Sequence, residues 1–140
     1  MSALPAATNR SVTLKVITRT PGSCATVLFL DDDPQHLKLY PGVIERGRFT
    51  VIPLLVGAMS LKMPDSAPDI VALDYRPKGP LTALDTAKQL NSIFPRAPIL
   101  ILSELEWLPQ DIAPYSSAFV RKGEPEKLIN CLMRLTRRSD

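Results

Sequence analysis

At 140 residues the chain is one domain's worth of polypeptide, long enough to bury a single good core. With 45% apolar and 22% charged residues and no apolar run near the length of a membrane span, the composition is that of a soluble globular protein, expected in the cytoplasm without membrane insertion. The net charge of +3 comes largely from the ends, Arg10, Lys15 and Arg19 on one side and Arg134, Arg137 and Arg138 on the other; with no aromatic interleaving or DNA-binding helix pair, no direct nucleic-acid binding is expected.

The opening stretch, "MSALPAATNRSVTLKVITRTPGS", has neither the apolar core of a secretory signal nor an arginine-rich transit helix, and residues 1–25 are read as a flexible tail. Its "VTLKVI" leaves pairing with a sheet edge open. Cys24 and Cys131 form no disulfide framework and no CxxC pair, and are read as reduced structural residues.

Apolar runs and amphipathic stretches then alternate, the pattern of a parallel sheet covered by helices on both faces. "TVLFL", 26–30, is a buried strand. A helix starts at Pro34 with Asp33 as its N-cap and Leu37, Tyr40 and Ile44 on one face, and is expected to kink or break at "YPG", 40–42. "FTVI", 49–52, is a strand ended by Pro53, and 56–63 a short helix. "DIVALD", 69–74, is a third strand. The clearest helix runs from 82 to 94 with Thr82 as its cap and Leu84, Ala87, Leu90 and Phe94 at helical spacing. "PILILS", 98–103, is the fourth strand. Prolines at 109 and 114 leave room for only one short helix within 104–116, where Trp107 either fills the core, the preferred reading, or marks a partner surface. "SAFVRK" is the fifth strand, and a helix from Pro125 to about Arg137 buries Leu128, Leu132 and Leu135.

The polar residues fall where these strands end. "VLFLDDDP", 27–34, drives an apolar run into three aspartates, where repulsion and desolvation both oppose charge. In an open parallel sheet, function gathers beyond the carboxyl ends of the strands. Asp31 and Asp32 follow the first strand, Asp74 closes the third, Ser103 the fourth and Lys122 the fifth. Three carboxylates, a hydroxyl and an ammonium thus converge on one crevice, a donor set suited to Mg²⁺. His36, the only histidine, is read as a surface residue of the first helix.

"FLDDDP", "DIVALDY", "ILILS" and "AFVRKGEPEKL", in this order, make the stretch from about 26 to 136 resemble the receiver domain of bacterial two-component response regulators. The resemblance implies a flavodoxin-like α/β fold, a doubly wound five-stranded parallel sheet over 26–137 followed by a short tail at 138–140, with the fourth helix short or missing. It implies Asp74 as the phosphoacceptor, Mg²⁺ held directly by Asp32 and Asp74, through water by Asp31, and by the backbone carbonyl of Arg76. Lys122 would pair with a phosphoryl oxygen, Ser103 would hydrogen-bond the attached group, and Ser103 and Phe119 would form the switch. The implied partners are a histidine kinase or phosphotransfer protein and a downstream protein. Catalysis would be limited to the chain's own phosphorylation and dephosphorylation, in a stand-alone receiver without an output domain.

The sequence departs from the family pattern at Pro77, at Ala83 where a glycine is usual, at Glu104 beside Ser103, and at Gly123, which replaces the usual proline and disfavours a cis bond there. Glu104 and the Arg76 side chain are possible modulators of the site. Two other readings stand beside the first: a degenerate receiver that binds partners without phosphorylation, and a phosphatase of the haloacid dehalogenase type that uses "DDD" as its acid pair.

Overall fold

The computed structural model describes residues 25–56, 63–76 and 81–139. The expected tail and the expected helix at 56–63 lie, apart from their edge residues, outside the described residues, as do Cys24 and Pro77. In chain order the elements are β1 (Thr26–Asp31), α1 (Pro34–Glu45), β2 (Thr50–Leu55), β3 (Ile70–Asp74), α2 (Ala83–Ile93), β4 (Ile99–Ser103), a 3₁₀ turn (Ala113–Tyr115), β5 (Ala118–Arg121) and α3 (Pro125–Ser139).

The five strands form one parallel sheet in the order β2-β1-β3-β4-β5. Alternation along each strand sends side chains to two separate cores. Val27, Phe29, Ala72 and Leu100 pack on one face with Ile44 of α1 and Leu128, Leu132 and Leu135 of α3. Leu28, Leu30, Val71 and Ile101 pack on the other with Ala83, Ala87 and Leu90 of α2. Both faces are covered, which is why β1, β3 and β4 are almost unbroken apolar runs. The order reverses at β1: β2 lies to one side and β3 to the other, so the ends of β1 and β3 flank the crevice where such sheets bind ligands.

Two prolines sit differently from the sequence expectation. β2 continues through Pro53 to Leu55 instead of ending before it. It is an edge strand, and Thr50 and Val56 donate their amides to Ala25 and Asp31, so the even positions face β1 and Pro53 points its missing donor away. α1 likewise runs unbroken across Pro41 to Glu45. It is held by the Asp33 cap, which accepts the Gln35 amide at 2.9 Å, and by burial of Ile44 with Leu37 and Tyr40 against the sheet.

α2 carries a full capping box: Thr82 accepts the Asp85 amide at 3.1 Å, and Asp85 accepts the Thr82 amide at 3.1 Å. The Thr82 amide, and the Thr82 hydroxyl donating to the same carboxyl at 3.0 Å, hold the exposed Asp85 carboxyl below its ordinary range. Between β4 and β5 there is only the 3₁₀ turn, as the prolines imply. Trp107 is not core: it is 68% exposed, and Ile112, Leu108 and Tyr115 cover the sheet there instead. α3 extends to Ser139, past the expected Arg137.

Two glycines at the end of α1 make opposite predictions. A Cβ on the helical Gly42 would meet nothing within 4 Å, whereas on Gly47 it would lie 2.8 Å from Ile129 Cγ2 and 3.1 Å from the buried Phe49 ring. Gly42→Ala is expected to raise the unfolding free energy by about 0.5–1 kcal/mol. Gly47→Ala is expected to lower it, both read from urea denaturation.

Candidate functional site

Asp31 is the last residue of β1, and its backbone carbonyl takes the Val56 amide from the neighbouring edge. Its carboxylate is fully buried, where an ion requires partners. One oxygen accepts the Asp33 amide at 3.0 Å, and the other lies 2.9 Å from His36 Nδ1. Asp32, the next residue, is exposed. Asp74 ends β3 and is 4% exposed. Asp31, Asp32 and Asp74 each place a carboxylate oxygen within 4.8 Å of the others.

Lys122 lies one residue beyond β5, and its backbone amide donates to the Ser103 carbonyl at 2.7 Å, which ties the ends of β4 and β5 together. Its ammonium forms an ion pair with Asp74 Oδ1. Burial pulls the Lys122 ammonium pKa down, but the Asp74 and Asp31 charges outweigh this and leave it raised. Asp74 moves the other way for a carboxyl: burial, opposed by Lys122 and reinforced by Asp31, pushes it up to about 6.

Three carboxylates and one ammonium leave an excess of two negative charges. Mutual repulsion opposes joint ionisation of the carboxylates, most strongly for the buried Asp31 and Asp74. One divalent cation cancels that excess. Asp74 Oδ1 is buried, and the Lys122 ammonium is its partner in the ion pair. An all-oxygen set with an exposed edge at Asp32 fits a hard cation that keeps part of its water.

The remaining expected residues fall at varied distances from this centre. Ser103 ends β4, nearly buried, and its hydroxyl oxygen accepts the Leu105 amide at 3.0 Å, which leaves its hydrogen free to donate. Phe119 is half-buried on β5, in register with Ile101. Glu104 is exposed beside Ser103. The Arg76 carbonyl accepts the Ala83 amide at 2.7 Å. Its buried side chain donates to the Leu81 carbonyl at 2.9 Å and to the Thr86 hydroxyl of α2 at 3.5 Å, with its Nε buried and unpartnered. Gly123 sits at φ 86 and no described peptide is cis.

Two residues of the site escaped the sequence reading. His36 is not simply on the surface: its Nδ1 meets Asp31, and its Nε2 lies 3.6 Å from Asp33 Oδ2. Tyr40, expected only as a core residue, has its hydroxyl pKa raised by burial, with Lys122 and a Gly123 amide hydrogen bond acting against that rise. The signal was a spacing: five residues beyond Asp31, one turn into a helix that begins beside that carboxylate, a side chain can reach back to it.

The elevated Asp74 pKa has a stability consequence. Its folded value of about 6 exceeds the ordinary 3.8, so the ionised group destabilises the fold above pH 6 and the cost disappears as pH falls toward 4. In EDTA, Asp74→Asn is expected to be more stable than the native chain by about 1–3 kcal/mol at pH 8, with the gap closing between pH 6 and 4. Thermal or urea unfolding across that range checks it.

The fold has clear counterparts among solved structures. TrrA of Thermotoga maritima, a response regulator in complex with Mg²⁺–BeF, is 19% identical, covers 79% of this chain and 98% of its own, and superposes with a TM-score of 0.67. A response regulator receiver domain protein of Methanospirillum hungatei gives 13% identity, 84% and 97% coverage and a TM-score of 0.69. The signal receiver domain of a modulated diguanylate cyclase from Desulfovibrio desulfuricans gives 17%, 83%, 96% and 0.68. No family model matches the sequence, and no curated protein does. With its five parallel strands in the order described, the chain has the flavodoxin-like fold of response-regulator receiver domains.

Proposed function

We propose that the chain is a phosphoacceptor signalling module that takes a phosphoryl group from a histidine kinase or phosphotransfer protein onto Asp74. The observation that carries this reading is the placement of a buried, cation-compatible carboxylate, paired with Lys122, at the switch point of a receiver fold. A carboxyl poised near pH 6 is mostly ionised at neutral pH and available as a nucleophile.

In the proposed transfer an Asp74 oxygen bonds to phosphorus while the phosphorus–nitrogen bond of the donor phosphohistidine breaks. The bonding electrons leave with the imidazole, which takes up a proton. Asp32, exposed, and Asp74 would hold Mg²⁺ directly; Asp31, both of whose oxygens already carry a contact, would act through water. When bound, the cation neutralises charge on the phosphoryl oxygens. Lys122 moves from the free carboxylate to a phosphoryl oxygen, and the Ser103 hydroxyl supplies its free hydrogen to another. The inward turn of Phe119 from its half-buried position would then shift the population of a partner-binding surface. The complex of TrrA with Mg²⁺–BeF supports the same use of the site here. A cytoplasmic location goes with this role, and no helix among the described residues is long and apolar enough to cross a membrane.

One observation favours a second reading, a receiver that binds partners without phosphorylation: the exposed carboxylate of Glu104 stands next to Ser103, where it would repel an incoming phosphoryl group. The phosphatase reading has less support, because Asp33 is turned to cap α1.

Intact-mass measurement after incubation with acetyl phosphate or phosphoramidate separates these readings. The expected result is a gain of about 80 Da, one phosphoryl group, that requires Mg²⁺ and disappears in Asp74→Asn. A folded chain that gains no mass supports the binding module.

A further inference from the structure

We infer that His36 is a positioning residue of the cation site, holding the buried Asp31 carboxylate in the orientation that a hydrated divalent cation requires; this rests on the phosphoacceptor reading of the carboxylate cluster. An ionised carboxylate only accepts hydrogen bonds, so the ring nitrogen 2.9 Å from Asp31 Oδ2 is there as a donor. The other oxygen takes the Asp33 amide at 3.0 Å. Both contacts come from the α1 side, one to each oxygen. Each oxygen keeps a second lone pair, and one Asp31 oxygen lies within 4.8 Å of carboxylate oxygens of Asp32 and Asp74.

The imidazole is itself held in place. Its ring stands edge-on to Tyr40, centroids 5.7 Å apart at 89°, and Tyr40 packs in turn on the core residue Phe29 at 5.4 Å. Its far nitrogen faces Asp33 Oδ2 at 3.6 Å. The side chain is 30% exposed, so water reaches the ring but the core fixes its direction. Asp31 is thereby oriented before any ion arrives, and binding does not have to order it. An imidazole that acted only as a rival positive charge would have the opposite effect, weakening cation binding.

Isothermal titration of the full chain with MgCl₂ at fixed pH distinguishes these cases, comparing native protein with His36→Leu and His36→Asn, each confirmed folded by circular dichroism. Partners behind metal ligands typically account for 10–100-fold in affinity. For a partly exposed partner of a water-mediated ligand, His36→Leu is expected to weaken Mg²⁺ binding about tenfold, while His36→Asn, whose amide nitrogen can stand in for Nδ1, stays within about threefold of native. A leucine variant that binds as tightly as native or tighter overturns the inference, as does an asparagine variant as weak as leucine. Native protein that binds no Mg²⁺ contradicts the phosphoacceptor reading itself, and the inference with it.

Discussion

The ion pair between Lys122 and Asp74 is the contact on which the rest of the site depends. Asp74 is buried beside Asp31 and within reach of Asp32, and the one ammonium among them does not balance three carboxylates. The Asp74 pKa stands at about 6 because Lys122 offsets only part of the burial and repulsion. An arrangement with an uncancelled charge is costly to a fold and useful to a site. Such a charge would draw in a cation, and on the proposed reading it holds the Asp74 carboxyl near the pH at which a nucleophile can work.

The parallel sheet makes this arrangement possible. Parallel strands end on one edge, so residues distant in sequence are brought together without any long side chain having to span the domain. The Lys122 amide bonded to the Ser103 carbonyl carries the β4–β5 pairing one residue beyond the sheet, which delivers the ammonium to the crevice. On the β1 side, the Asp33 cap starts α1 next to Asp31, and the same turn supplies the Asp33 amide and the His36 ring. Local helix initiation and site construction are thus carried by the same few residues.

Much of this was legible in the sequence because the signals were strong and local. β1, β3 and β4 are apolar runs that end in aspartate, aspartate and serine, and the thirteen-residue pattern from Thr82 to Phe94 has one clean apolar face with Thr82 as its cap. What misled were cues whose meaning depends on tertiary position. Pro53 reads as a strand terminator until β2 is known to be the edge, and Pro41 reads as a helix break until α1 is seen packed on the sheet. Trp107 reads as core by its size, but Ile112, Leu108 and Tyr115 already cover that part of the sheet. His36 reads as surface because its partner, Asp31, is assigned to a different element.

On the proposed reading, the carboxylate cluster with Lys122 receives a phosphoryl group together with a divalent cation. Beryllofluoride, which mimics that group on a carboxylate, tests it directly by ¹⁹F NMR. The expected outcome is a bound fluoride signal that requires Mg²⁺ and is lost in Asp74→Asn. A folded native chain that shows only free beryllofluoride in saturating Mg²⁺ would contradict it.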